Sequence, residues 1–478
     1  MRYIVGLNDD ILRRGVENPT TEDLMNGQAV PIVNDTDRLV NAHVLVAGMS
    51  GMGKSYQIQS YIRNCANAGV EVDAFDPHEE LDVGRGAVGV KFSNATRYGY
   101  NPLEVHLNEH SGGIENQISS VVSMMNQAFG TMGHRQEAAL RHLLEDVYYL
   151  RGMYPDQPSS WRKQRITEDL WDRMIQARDY TGLRSFYPTV RDVIQYADRK
   201  LVALRTGGNT KTANSLERVN QAASRLRAVQ TKARKSVSDE EVRQHAQTLE
   251  KEKEKAIEAY IDLVRSIELG TEMRDERKFT NPETLLSLLD RLEMILKKGG
   301  IWRANPPPFG DAIVRSYQIK DLPDEDQKLL VYTRAKAIFR EAVDAGKQPT
   351  LRRVVALDEG QRFMSDDPDN PLNIIATQGR KFGLGLVIGS QSPTHFSEDF
   401  LTNCGTVILT GVHERYQAES ARSLGLEKSA MQRIRGQEVI AMRTQAIGET
   451  SSRYTLVNVN QAVVAHHLNK MRQQRAPA

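Results

Sequence analysis

The stretch Val44-Leu45-Val46-Ala47-Gly48-Met49-Ser50-Gly51-Met52-Gly53-Lys54-Ser55 decides the fold. Its apolar start predicts a short buried strand, a glycine-rich turn follows, and residues 54–68 read as a helix. The turn fits G-x-x-x-x-G-K-[ST] in the strand-to-helix setting that pattern requires. Glycines there let consecutive backbone N–H groups converge on one point, and the helix N-terminus adds positive potential. The candidate nucleotide-binding residues are therefore Gly48, Ser50, Gly51, Met52, Gly53, Lys54 and Ser55. Lys54 is expected to reach the β and γ phosphates of a triphosphate and the Ser55 hydroxyl to ligate Mg²⁺.

Outward from this turn, a second apolar run at residues 70–75 ends at Asp76-Pro77, where proline stops a strand. Further runs at 354–357, 384–388 and 407–409 alternate with helical stretches, which predicts a parallel sheet with crossover helices. A phosphate-binding turn needs an acid nearby. Arg353-Val-Val-Ala-Leu-Asp358-Glu359 ends an apolar run with two carboxylates, so Asp358 is the candidate second metal residue and Glu359 the candidate for polarising water. An Asp-Glu pair that merely caps a strand is the alternative. The run at 384–389 finishes in Ser390-Gln391-Ser392-Pro393, and a right-handed crossover would bring Gln391 near the γ-phosphate. An ordinary polar strand end is the alternative for Gln391.

The 478 residues contain 63 Lys+Arg against 61 Asp+Glu, so a net charge of +2 supplies no global pull toward nucleic acid and any such contact must be local. Two cysteines far apart, Cys65 and Cys404, disfavour a zinc module and suit a reducing, cytoplasmic setting. No apolar run reaches the length of a membrane span, and no signal-peptide core precedes Asp9-Asp10. From residue 136 to 300 the chain is largely helical in pattern, and nearly half of residues 231–278 are charged with both signs interleaved. Such a region reads as a solvated structural insert, or as an arm that contacts a subunit or DNA. Gly207-Gly208-Asn209 and the three prolines of residues 305–309 are breaks. The expected organisation is a short N-terminal segment at 1–40, a core in two parts at 41–135 and 301–455, a charged helical insert at 136–300 and a basic tail at 456–478.

Four segments together resemble the HerA/FtsK superfamily of ring-forming P-loop translocases, and most closely its HerA branch. They are the P-loop, Phe75-Asp76-Pro77-His78-Glu79-Glu80, Leu357-Asp358-Glu359, and Gly379-Arg380-Lys381-Phe382-Gly383-Leu384-Gly385 leading into Ser390-Gln391-Ser392-Pro393. The resemblance covers residues 38–130 and 310–445. It implies an α/β fold with a RecA-like (ASCE) P-loop NTPase core and parallel central sheet, plus a large helical insert, with ATP and Mg²⁺ as cofactors. It further implies Lys54 and Ser55 on phosphate and metal, Asp76 near the catalytic water or metal, Glu359 as base, Gln391 as sensor and Arg380 as an arginine finger acting in trans. A basic helix end beside the negative dipole pole is the alternative for Arg380-Lys381. The chain departs from the family in having 47 residues before Gly48 where a β-barrel is usual, Gly360-Gln361 after the acid pair, and Thr406-Val-Ile-Leu-Thr410 where a second arginine finger often follows.

The resemblance implies an ATP-driven DNA translocase or helicase motor, a homo-oligomer and most expectedly a hexamer, working with a nuclease or other effector in DNA processing or phage defence. Arg225 through Arg234, Lys211 and Lys297-Lys298 are basic segments available to a pore. The alternatives are a conjugation or type IV secretion ATPase, and a nucleotide-gated scaffold that assembles an effector without translocation.

Overall fold

The computed structural model describes residues 1–475 apart from 17, 82–83, 85, 110–111, 207–209, 234–238, 267–281, 298–299, 366, 412, 414–416, 419–420, 423–425 and 450–451. The break at 207–209 and the basic residues Arg234 and Lys298 lie outside the described residues, as does the side chain of Lys211. The chain divides into two compact units, one of Met1–Tyr100, Ser123–Phe129 and Lys298–Ala478, the other of Asn101–Val122 and Gly130–Lys297.

The first unit is built on an 11-stranded sheet. Its strands are β1 (Arg2–Asn8), β2 (Pro31–Asp35), β3 (Val44–Gly48), β4 (Glu71–Asp76), β5 (Ala87–Lys91), β6 (Val314–Gln318), β7 (Arg353–Leu357), β8 (Leu384–Ser390), β9 (Thr406–Gly411), β10 (Val439–Thr444) and β11 (Thr455–Asn458). They lie in the order β2-β1-β11-β10-β9-β3-β8-β7-β4-β6-β5. From β9 to β5 every pairing is parallel, whereas β10, β11, β1 and β2 add antiparallel strands. This is the parallel sheet that the apolar runs predict, in the RecA-like core that the resemblance implies. Parallel strands need both faces covered, which is why β3, β7, β8 and β9 are apolar runs rather than alternating ones. The residues at 1–40 supply the edge strand β2 and its neighbour β1, and those at 456–478 hold most of β11 and the helix Gln461–Arg475.

The helix Lys54–Asn67 buries Ile58, Tyr61, Ile62 and Cys65, spaced three and four apart, against Val44, Val46, Val72, Ala356 and Val387 of the sheet. Each such aliphatic side chain withdrawn from water contributes about 1.5–3 kcal/mol. Because β3 connects to β4 over β8 and β7, the carboxyl ends of those two strands flank the turn that follows β3. Ligands of open α/β sheets bind at such crossing points.

A charged centre also lies inside this unit. Asp73 of β4 is fully buried and accepts hydrogen bonds from Arg353 at 2.6 Å, Arg315 at 3.1 Å and Tyr317 at 2.8 Å. Burial pushes its carboxyl up, but the charges of Arg353, Arg334 and Arg315 outweigh that and hold it below the usual carboxylate range.

The second unit is helical. The helices His134–Leu150 and Pro282–Lys297 bury Leu140, Leu143, Leu144 and Val147, and Leu285, Leu288, Leu289 and Leu292, at helical spacing. Trp171 donates to Asp192 at 3.0 Å, Arg151 pairs with the same carboxylate at 2.7 Å, and the Arg191 guanidinium lies 3.9 Å from the Trp171 ring centre. The long helices Thr210–Ala233 and Asp239–Ser266 pack along each other. Interleaved charge resolves locally into pairs three residues apart, Glu250 with Lys253 and Glu252 with Lys255. Arg225 and Arg227 are exposed on the first of these helices.

Candidate nucleotide site

The turn after β3 is shaped by glycine. Gly51 and Gly53 have φ of +79° and +83°, a region that costs other L-residues, and Gly53 opens the helix Lys54–Asn67. Lys54 at the first helical position is buried, 7% exposed, and its ammonium contacts both acids of β7's end: Asp358 Oδ1 at 3.0 Å and Glu359 Oε1. Ser55 donates to the other Asp358 oxygen at 3.2 Å. Four residues separated by some 300 positions, Lys54, Ser55, Asp358 and Glu359, thus meet in one cluster.

Asp358 fits because the facing residue of β8 is glycine. A Cβ at Gly389 would stand 2.6 Å from Asp358 Oδ1 and 2.7 Å from Ile58 Cδ1, both too close. Asp358 also accepts from the Glu359 backbone N–H at 2.9 Å. Glu359 itself has left-handed backbone, φ +53°, a rare state for a non-glycine residue and one that costs on the order of 1–3 kcal/mol.

The two Glu359 oxygens differ in their partners. Oε1 faces Lys54, and Oε2 accepts from the amides of Gln361 and, at 3.3 Å, Gln391. Burial pushes the Glu359 carboxyl up, yet the Lys54 hydrogen bond and charge, followed by Gln361 and Gln391, hold it below the usual range. Burial likewise pulls the Lys54 ammonium down, but Asp358 and Glu359 raise it overall, so Lys54 and Glu359 favour each other's charged form. Gln361 was visible in the sequence only as a departure from the family pattern. The signal for its role is its spacing, two residues beyond the glutamate, where a short 3₁₀ turn at Gly360–Arg362 returns it to that carboxylate.

Two expected site residues stand apart from this cluster. Asp76 ends β4 and is buried, and its carboxylate accepts from the backbone N–H groups of His78 at 3.2 Å, Glu80 at 3.3 Å and Leu81 at 2.8 Å, closing the loop that follows. Among the described residues no ion pair or hydrogen bond joins it to Lys54, Asp358 or Glu359. Arg380 is exposed on the 3₁₀ turn Gly379–Phe382, which precedes β8, while the glycine-rich turn follows β3. Since β3 and β8 run parallel, Arg380 lies at the amino ends of the strands, opposite the turn at their carboxyl ends and about 20 Å away by the rise of a seven-residue strand.

The arrangement combines a backbone cradle, a lysine, a hydroxyl beside a carboxylate, and a second carboxylate able to accept a proton from water. The sequence model described as "Helicase HerA, central domain" matches residues 23–340, about two thirds of the chain, and stops short of Asp358. No curated protein matches. Among solved structures, VirB4 of Thermoanaerobacter pseudethanolicus is similar with a TM-score of 0.58 at 14% identity, covering 96% of this chain and 97% of that one. The plasmid coupling protein TrwB in complex with ADP and Mg²⁺ gives a TM-score of 0.47 at 11% identity, covering 96% and 95%. The genome packaging NTPase B204 from Sulfolobus turreted icosahedral virus 2 gives 0.22 at 13%, covering 34% and 69%. The VirB4 likeness shows a shared fold, and among the described residues no helix is long and apolar enough to cross a membrane. The P-loop cluster and a family match over most of the chain lead to one assignment: the protein belongs to the HerA helicase central-domain family of P-loop ATPases.

Proposed function

We propose that this ATPase is a DNA translocase or helicase motor that works as a closed ring, most simply a hexamer, hydrolysing ATP with Mg²⁺ at subunit interfaces. The observation that carries the reading is the separation of Arg380 from the P-loop of its own chain. An exposed guanidinium at the amino ends of the strands, a strand's length from the turn after β3, cannot reach that site, but it suits a neighbour's site, where it would neutralise charge on the transferring phosphoryl group. A contact of this head-to-tail kind generates a ring when its rotation closes.

The residues present fit nucleotide and metal. Oε1 of Gln361 is buried without a partner among the described residues, an orphan acceptor beside the Glu359 carboxylate that suits a held water. The Ser55 hydroxyl and Asp358 carboxylate offer oxygen donors, and no group of three or more His, Cys, Asp or Glu able to hold a metal occurs among the described residues, so the protein would give Mg²⁺ one or two ligands. Bound Mg²⁺ would neutralise charge that develops on the phosphate oxygens.

Lys54 cannot serve phosphate oxygens and both carboxylates at once. When it turns to phosphate, Glu359 Oε1 is released to take a proton from water, while Gln391 and Gln361 still hold Oε2. Nucleotide binding and activation of the base are thereby linked through one ammonium.

The test is ATP turnover with and without DNA at about 50 mM salt, where a handful of phosphate contacts is still strong. Stimulation by DNA that fades at higher salt before basal hydrolysis does is expected. A rate indifferent to single- and double-stranded DNA would defeat the motor reading and favour a nucleotide-gated scaffold. A conjugation or secretion ATPase is the second reading, favoured by a fold shared with VirB4 along nearly the whole of both chains. Recovery of the protein with membranes would support it.

A further inference from the structure

Glu359, Asp358 and Gln391 all lie at the ends of β7 and β8, on one side of β3. If the proposed reaction runs there, the terminal phosphate points to that side. The phosphate chain is linear, so the nucleoside end leaves toward the other side, over β9 and β10. What stands there is the turn at residues 434–438, between the helix Lys428–Arg433 and β10.

This turn is closed by backbone hydrogen bonds and lies close to the P-loop. Arg435 and Val439 exchange backbone hydrogen bonds at 3.0 and 3.1 Å, Glu438 N–H donates to Arg435 at 2.7 Å, and Val459 N–H donates to Glu438 at 2.8 Å. Gly436 is buried, and a Cβ on it would lie 3.2 Å from Met52 Sδ and 3.3 Å from Met52 Cα. A Cβ on Gly53 would meet Gln437 Cγ at 3.5 Å. The turn therefore packs on the two residues that precede Lys54, and its own exposed side chains are Arg435, Gln437 and Glu438.

The turn is held from behind by a buried charge. Arg433, immediately before it, donates to Asp9 Oδ2 at 2.8 Å and to Asp10 Oδ1 at 2.6 Å. Asp9 is fully buried and also pairs with Arg13 at 2.7 Å and accepts from Asn458 at 3.3 Å. A carboxylate in that position is costly unless its partners stay in place, so the N-terminal helix Asp9–Arg13 fixes Arg433 and, through it, the turn.

We propose that the turn at 434–438 is the nucleoside-side wall of the nucleotide site, with Gln437 and Arg435 contacting ribose and base and Asp9 and Arg433 as positioning residues. The proposal rests on the nucleotide reading above. The chemistry suits it: an amide offers donor and acceptor together, and a guanidinium stacks on a ring face or donates to hydroxyl oxygens. The N-terminal strand and helix thereby gain a part in nucleotide recognition that the P-loop motif does not announce.

The experiment compares ATP with inorganic tripolyphosphate, each with Mg²⁺, by calorimetric titration of the full chain. Tripolyphosphate reports the phosphate cradle alone. The wild type is expected to bind ATP more tightly than tripolyphosphate, and the double variant Arg435→Ala/Gln437→Ala to lose about tenfold for ATP with tripolyphosphate unchanged. Asp9→Asn should show the same selective loss, a pattern that general destabilisation, weakening both ligands together, does not produce. The surface double variant keeps the test decisive where Asp9→Asn fails to fold. Equal wild-type affinity for ATP and tripolyphosphate, an unchanged double variant, or parallel loss of both ligands overturns the proposal. A wild type that binds neither ligand overturns the nucleotide reading itself.

Discussion

Lys54 and Glu359, 305 residues apart in the chain, form a direct ion pair in a largely buried pocket, and each shifts the other toward its charged form. Their pairing separates two tasks that a sequence motif runs together. The lysine serves binding and the carboxylate serves the water.

Lys54→Ala is accordingly expected to abolish productive ATP binding, whereas Glu359→Gln keeps nucleotide affinity and lowers turnover by about 10²–10⁴-fold, the usual worth of a positioned base. Nucleotide titration and steady-state hydrolysis on both variants check this. Turnover at the wild-type rate in Glu359→Gln would remove that residue from the base role.

Mixing experiments address Arg380. Arg380→Ala and Glu359→Gln proteins should each be inactive alone, but mixed rings contain some interfaces with an intact base opposite an intact arginine, so partial hydrolysis should return. If subunit exchange is demonstrated and no activity returns, Arg380 does not act on a neighbour.

Gly389→Ala probes the fit between β7 and β8. The added methyl would press on Asp358 Oδ1 and Ile58 Cδ1, and Asp358 is the more easily displaced because it is a side chain at a strand end. The expected outcome is a folded protein whose ATPase needs more Mg²⁺ for half-maximal rate. An unchanged Mg²⁺ dependence would show that Asp358 keeps its place.

Asp73 sets a stability prediction. Its folded-state pKa is depressed, so its contribution is present above the unfolded carboxyl value, about 3.9, and is lost as pH falls through the lower folded value. Asp73→Ala, which leaves three arginines around an empty position, is expected to cost roughly 3–5 kcal/mol. Calorimetric melts between about pH 7 and pH 3 should show the variant melting lower at neutral pH and the difference narrowing in acid. Equal melting temperatures at neutral pH would mean that the arginines find other partners.

What the sequence made legible was local. The P-loop, the strand before it and the helix after it lie within two dozen residues, and the Asp-Glu pair announces itself at the end of an apolar run. Non-local pairing was not legible. β1 joins β11 across some 450 residues, and nothing in Arg2–Asn8 specifies that partner. The Asp73 centre draws on three strands and a helix, so no window of sequence contains it. Asp76 shows the same limit in reverse. Its place at a strand end resembles a catalytic acid, but whether its oxygens face a ligand or the next loop's N–H groups depends on how residues 77–81 turn.

The left-handed backbone at Glu359 carries a consequence for how this position can vary. Glycine would relax that conformation, gaining on the order of 1 kcal/mol or more, and would be the choice of any design that optimised the fold alone. On the role proposed for it, the same change removes the proton acceptor and leaves Lys54 with Asp358 as its only anionic partner in the cluster. Thermal robustness and turnover thus pull against each other at a single residue, and selection for either property alone would leave its mark there first.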